Sequence, residues 1–171
     1  NEAIKESQNI RAMQQKAEYI SGQREDKSYL QILEEAEGLL ESVDSSAAAD
    51  RDIQIAKKLD IETVKNRRRA NADVLRSAFP NWLIFSDLSS SDVPMFVPVL
   101  VPDGRRNDLR RYLIKNEIYC PIHWPVSDYH RLDGKERFIY DNELSLVCDQ
   151  RYTEEDMQRM VETIKVFWKE A

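Results

Sequence analysis

Glycine is scarce in this chain, four residues in 171, and that scarcity argues against a phosphate-cradling glycine loop. Cysteine is scarcer still. Cys120 and Cys148 are the only two, too few for a disulfide scaffold, and they suit a reducing compartment, so a cytoplasmic protein is expected. No apolar run approaches the ~20 residues of a membrane span, and no signal-peptide pattern opens the chain. An excess of basic residues is missing as well: the formal net charge is −6, which argues against a general nucleic-acid binder. No nucleophile triad and no pair of catalytic carboxylates can be picked out. The chain begins Asn1-Glu2-Ala3 without a methionine, which leads us to expect a fragment or a processed product.

What is present describes a globular chain. Hydrophobic residues make up 42% and charged residues 33%, a balance that can bury a core and keep a solvated surface. The length fits one ordinary domain, or one domain with a helical extension.

Helical spacing dominates the first half. Ile10, Met13, Ala17 and Ile20 share a face and predict an amphipathic helix over Glu2–Ile20, ending at Ser21-Gly22. A second helix is expected from Ser28, with Gln31 at capping-box spacing and an apolar face of Tyr29, Ile32, Leu33, Ala36, Leu39 and Leu40. Val43–Ala49 reads as a small-residue linker into a short helix, Asp50–Leu59. Asp60 is placed as the N-cap of a longer helix with a buried stripe of Ile61, Val64, Ala72, Leu75 and Phe79, stopped by Pro80.

The second half turns to β-formers. Trp82–Phe85 and Met95–Val101 predict strands around a Ser/Asp-rich turn, and Pro98 makes the second an edge strand or a bulged one. Asn107 is expected to cap a helix carrying Leu109, Tyr112 and Leu113. Ile118–Trp124 and Leu144–Cys148 predict two more strands, and Thr153 with Asp156 opens a final helix. The expected class is α+β: a small, mostly antiparallel sheet of about four strands covered by helices, behind a helical N-terminal half. We place the boundary between residues 1–60 and 61–171.

The stretch Tyr119–Pro125, Tyr-Cys-Pro-Ile-His-Trp-Pro, concentrates the chemistry. It holds one of two histidines, at a strand end where loops carry function. His123 and Trp124 are therefore candidates for a substrate-facing edge. The loop expected over Val126–Asn142 carries Tyr129, His130, Arg131, Lys135 and Arg137, a mixture suited to a phosphate or sugar ligand. Cys120, His123, His130 and Cys148 have the residue types of a zinc site. Paired-ligand spacing is missing, and strand alternation turns Cys120 and His123 to opposite faces, so no metal is expected. Lys65 with Arg67-Arg68-Arg69 forms a basic collar around a helix, read as a solvated face or a domain contact.

Three stretches carry a family resemblance: Phe96-Val-Pro-Val-Leu-Val101, Arg110-Arg-Tyr-Leu113, and Ile118-Tyr-Cys-Pro-Ile-His-Trp-Pro125. With Leu144-Ser-Leu-Val-Cys-Asp149 and Thr153-Glu-Glu-Asp156, this half resembles the C-terminal small domain of the DegT/DnrJ/EryC1/StrS aminotransferases. The first half is similar to that group's connecting helices through Lys16-Ala-Glu-Tyr19 and Arg67-Arg-Arg-Ala-Asn71. The chain departs from the family at Glu117-Ile118, where Gly-Ile is usual, and at Val147-Cys148, where proline is common. The resemblance implies the small domain of a fold-type I pyridoxal-phosphate (PLP) enzyme that transfers an amino group to a keto-sugar or similar acceptor. It implies a cofactor held on a lysine of a large N-terminal domain outside this chain, a homodimeric full enzyme, and no cofactor on these residues alone. Under it, His123, Trp124, Tyr129, His130 and Arg131 would face the acceptor. A non-catalytic interaction or dimerisation module is the alternative, and a homologue that kept the fold without the chemistry is a third.

Overall fold

Gly22, at a φ of 75°, ends the first helix of the chain. The Gln23 N–H donates to the Glu18 carbonyl at 2.8 Å and the Gly22 N–H to Tyr19 at 3.1 Å. This double closure requires a left-handed residue between helix and exit, a place glycine fills without strain. The computed structural model describes residues 2–40, 47–48, 50–123 and 126–169. It resolves into two compact units, Asn1–Lys58 and Leu59–Ala171.

In the first unit, α1 (Glu2–Ile20) and α2 (Tyr29–Leu40) pack on one another. Ala12, Tyr29 and Ala36 are buried, and the Tyr19 and Tyr29 rings lie 5.8 Å apart. The capping box expected at Ser28 does not form. The Ser28 N–H is bonded to Asp26 and the Gln31 amide donates to Glu35, one helical turn on. The expected linker Val43–Ala49 lies, but for residues 47 and 48, outside the described residues. α3 (Asp50–Lys58) opens on Asp50 and Asp52, closes on Lys57 and Lys58, and buries no residue. Its charges complement the helix dipole.

In the second unit, α4 (Ile61–Ala78) starts at Asp60, whose carboxylate accepts from the Thr63 N–H. Asn71, Ala72 and Leu75 are the buried face of α4, and Phe79 is buried beyond its end, while Ile61 at its start is exposed. Pro80 diverts the chain into a single 3-10 turn, Pro80–Trp82. Two strands follow, β1 (Phe96–Leu100) and β2 (Glu143–Val147), antiparallel and in register from Phe96 opposite Val147 to Leu100 opposite Glu143. Between them come α5 (Arg106–Lys115) and α6 (Gly134–Asn142), and α7 (Glu154–Lys169) follows β2.

The inward sheet face, Val97, Val99, Leu144 and Leu146, joins Leu75, Leu109, Leu113, Met157, Val161 and Ile164 in one core. Burial of these apolar side chains supplies the main stabilisation of this unit. The outward face carries Phe96, Pro98, Glu143 and Ser145, by the period of two along each strand.

The α+β class stands, but the expected sheet of about four strands is corrected to two among the described residues. Trp82–Phe85 contributes only a Leu83 bridge to Val99 and an Ile84 N–H on the Pro98 carbonyl at 3.3 Å. Pro98 lacks an N–H, so that side of β1 cannot sustain a ladder. Ile118–His123 runs beside β2, where the Ser145 N–H donates to the Pro121 carbonyl at 3.2 Å. Pro121 has no N–H to return, and the segment stays irregular. The helix expected to be capped by Asn107 begins instead at Arg106, with Arg105 in the cap position. The expected loop Val126–Asn142 is half helix: Asp133 and Glu136 form the capping box that launches α6. No helix among the described residues is long and apolar enough to cross a membrane.

Candidate functional site

The outward sheet face is the floor of a cavity of about 890 Å³. Ile84, Phe85, Leu88 and Val93–Phe96 wall it from one side, and Val126, His130, Leu132, Ile139 and Tyr140 from the other. Both walls are tied down. Arg76 of α4 donates to the Phe85 and Ser86 carbonyls at 2.9 and 2.7 Å, and Arg69 reaches the Ser90 and Asp92 carbonyls. On the opposite side the Val126 N–H donates to the Tyr140 hydroxyl at 3.1 Å. The basic collar of α4 is thus in part a device for holding a loop. Arg68, from the same cluster, donates to Gln150 at 2.6 Å.

His123 is half-buried on this wall. Its Nδ1 lies 2.9 Å from Ser145 Oγ, and its ring meets the Phe96 ring edge-on, centroids 4.6 Å apart. The Ser145 hydroxyl in turn donates to Glu143 Oε1 at 2.6 Å. Glu143 and Ser145 share a face because they stand two positions apart on a strand, with Leu144 between them turned to the other side. That alternation was present in Glu-Leu-Ser-Leu, but nothing in the sequence alone tied it to His123.

Of the residues singled out from sequence, His123 and His130 line this one cavity. Tyr129 is 94% exposed, and it and Arg131 are not among the lining residues. Trp124 lies outside the described residues. Arg76, Phe96, Glu143 and Ser145 also line it and were not legible as site residues.

The cysteines are buried and free. Burial pushes the Cys120 thiol up to about 11 and the Cys148 thiol up to about 12, the charge of Asp149 adding to the second. Among the described residues no group of three or more His, Cys, Asp or Glu is placed to hold a metal ion.

The cavity does not fit PLP on its own. The cofactor needs a lysine to carry it, and among the described residues the lining offers two imidazoles, one guanidinium and three carboxylates but no lysine. The guanidinium, the one group of that set suited to a phosphate, is already bonded to two carbonyls.

No protein-family profile matches the chain, and no curated protein matches it. Among solved structures it is similar to a DegT DnrJ EryC1 StrS aminotransferase from Brucella abortus, at 15% identity and a TM-score of 0.48. The match covers 62% of this chain and 31% of that one, so it spans less than a third of the length of that aminotransferase.

Proposed function

We propose that the chain is the C-terminal part of a PLP-dependent aminotransferase of the DegT/DnrJ/EryC1/StrS type. In this reading residues 61–171 are the small domain and residues 1–60 a helical connecting segment. The outward sheet face then closes one side of an active site whose cofactor lysine belongs to a large domain outside this chain. The full enzyme is a cytoplasmic homodimer, and the chain by itself transfers no amino group.

The supporting observation is the seating of His123. Ile118–His123, within the half that carries the resemblance, brings this imidazole to the wall of a large cavity, where Ser145 bonds its Nδ1. A fixed imidazole in a mostly apolar pocket is a fit arrangement for orienting an acceptor. The test is the His123→Ala variant of the full gene product, assayed for amino transfer to keto-sugars. The reading expects a KM raised, or a kcat lowered, by about tenfold, the effect of losing a positioned polar contact. Unchanged kinetics contradict it.

The interaction-module reading draws on the first unit. Met13 and Ile20 of α1 and Ile53 and Ile55 of α3 are exposed, and α3 buries nothing. Sedimentation of the chain tests it: self-association lost in Ile53→Glu/Ile55→Glu favours a dimerisation module, and a monomer speaks against one.

A further inference from the structure

Ser145 has one hydroxyl hydrogen, and that hydrogen is directed to the Glu143 carboxylate. Toward His123 the same oxygen can therefore only accept, so the ring proton sits on Nδ1. A neutral imidazole carries one N–H, which leaves Nε2 as a bare lone pair. His130 is arranged the other way. Its Nδ1 accepts from the Ser127 N–H at 3.2 Å, so its hydrogen lies on Nε2. The two imidazoles on one cavity wall hold opposite tautomers, and no described protein group bonds either Nε2.

The charged groups around the cavity are already engaged. Arg76 is bonded to two carbonyls, Asp92 accepts from the Ser89 N–H, and Glu136 accepts from the Asp133 N–H. Most of the remaining lining is apolar, and among the described residues His123 Nε2 is an acceptor with no protein partner, beside the second oxygens of Asp92, Glu136 and Glu143. We infer that Glu143 and Ser145 are positioning residues that hold His123 in its Nδ1–H form, so that Nε2 receives a hydrogen from a hydroxyl or N–H on a ligand with an apolar body. This deepens the proposed function, on which the identity of the site as an acceptor pocket rests. The tautomers themselves follow from the hydrogen bonds alone.

The experiment is long-range nitrogen–proton NMR of the imidazoles in the histidine-labelled 171-residue chain, at mildly alkaline pH where imidazoles are neutral. With two histidines in the sequence, a His130→Gln sample assigns both. The expected spectrum shows a pyrrole-type Nδ1 and pyridine-type Nε2 for His123, and the reverse for His130. Ser145→Ala should release His123 to the Nε2–H form, and Ser145→Thr, which keeps the hydroxyl, should restore it. Phenol should then shift the His123 Nε2 resonance and bind roughly fivefold tighter than anisole, which lacks the donor hydrogen. A wild-type His123 in the Nε2–H form overturns the inference, whether or not the variants fold. Equal responses to phenol and anisole, or none to either, overturn its ligand class. None of these readouts involves amino transfer, so failure here and failure of the aminotransferase reading are separate results.

Discussion

The Ile118 N–H donates to the Leu113 carbonyl at 2.9 Å, with the Glu117 N–H on the Ile114 carbonyl at 3.0 Å. This closes α5 by the same double bond pattern that closes α1, and it puts Ile118 against Leu113 in the core. The residue between must be left-handed. At α1 it is Gly22, but here it is Glu117, at a φ of 60°. The glycine usual at this point in the family that the segment resembles has a backbone reason, and this chain bears a strained glutamate instead.

Glu117→Gly should therefore stabilise the protein by about 1 kcal/mol, since an exposed side chain is lost and left-handed strain is relieved. Urea unfolding checks it. The midpoint should rise with an unchanged m value, whereas Glu117→Val should lower it.

Asp149 gives the fold a dependence on acid. Its side chain is 3% exposed, and burial alone pushes its carboxyl up. Bonds from the Arg151 side chain and backbone N–H, with the charges of Arg151 and Arg68, outweigh burial and hold it below the ordinary carboxylate range. A depressed folded value means the stabilisation is whole above the unfolded value, about 3.9, and is lost as pH falls through the folded one. Asp149→Asn should cost about 1–2 kcal/mol at neutral pH, the scale of a charge-assisted bond. The gap between variant and parent in urea unfolding should narrow below roughly pH 4.

Arg76 holds the wall of the cavity more than it holds the fold. Arg76→Met should speed amide exchange across residues 84–95 while leaving the core strands protected, because it releases only the Phe85 and Ser86 carbonyls. Hydrogen exchange followed by mass spectrometry separates the two regions.

The thiols should be inert in the folded protein. With Cys120 raised to about 11 and Cys148 to about 12 by burial, almost no thiolate exists near neutral pH. Iodoacetamide should label neither cysteine in buffer and both in denaturant, read by intact mass.

Local signals were legible where their partners lie a few residues away. The Asp60 cap, the Thr153–Asp156 pair that opens α7 and the stripe Met157, Met160, Val161, Ile164 all act within one helix. The Asp133–Glu136 box is equally local, but Gly134 and the charged residues after it read as a loop. The strands were not legible in the same way. Leu83 and Pro121 are fitting neighbours for a sheet, but whether a neighbour becomes a strand depends on which backbone groups prolines remove on both sides. The site was half legible. His123 and His130 could be named from residue type and position, while Ser145 and Arg76 join it only through contacts 22 and 9 residues away, and Glu143 only through Ser145.

The most direct test of the central claim is an intact-mass spectrum of the natural gene product, reduced with borohydride in the presence of PLP. The account predicts a protein substantially longer than these 171 residues with one cofactor fixed to a lysine of its large domain. A product of this length that takes up no cofactor would contradict it and leave the interaction-module reading in its place.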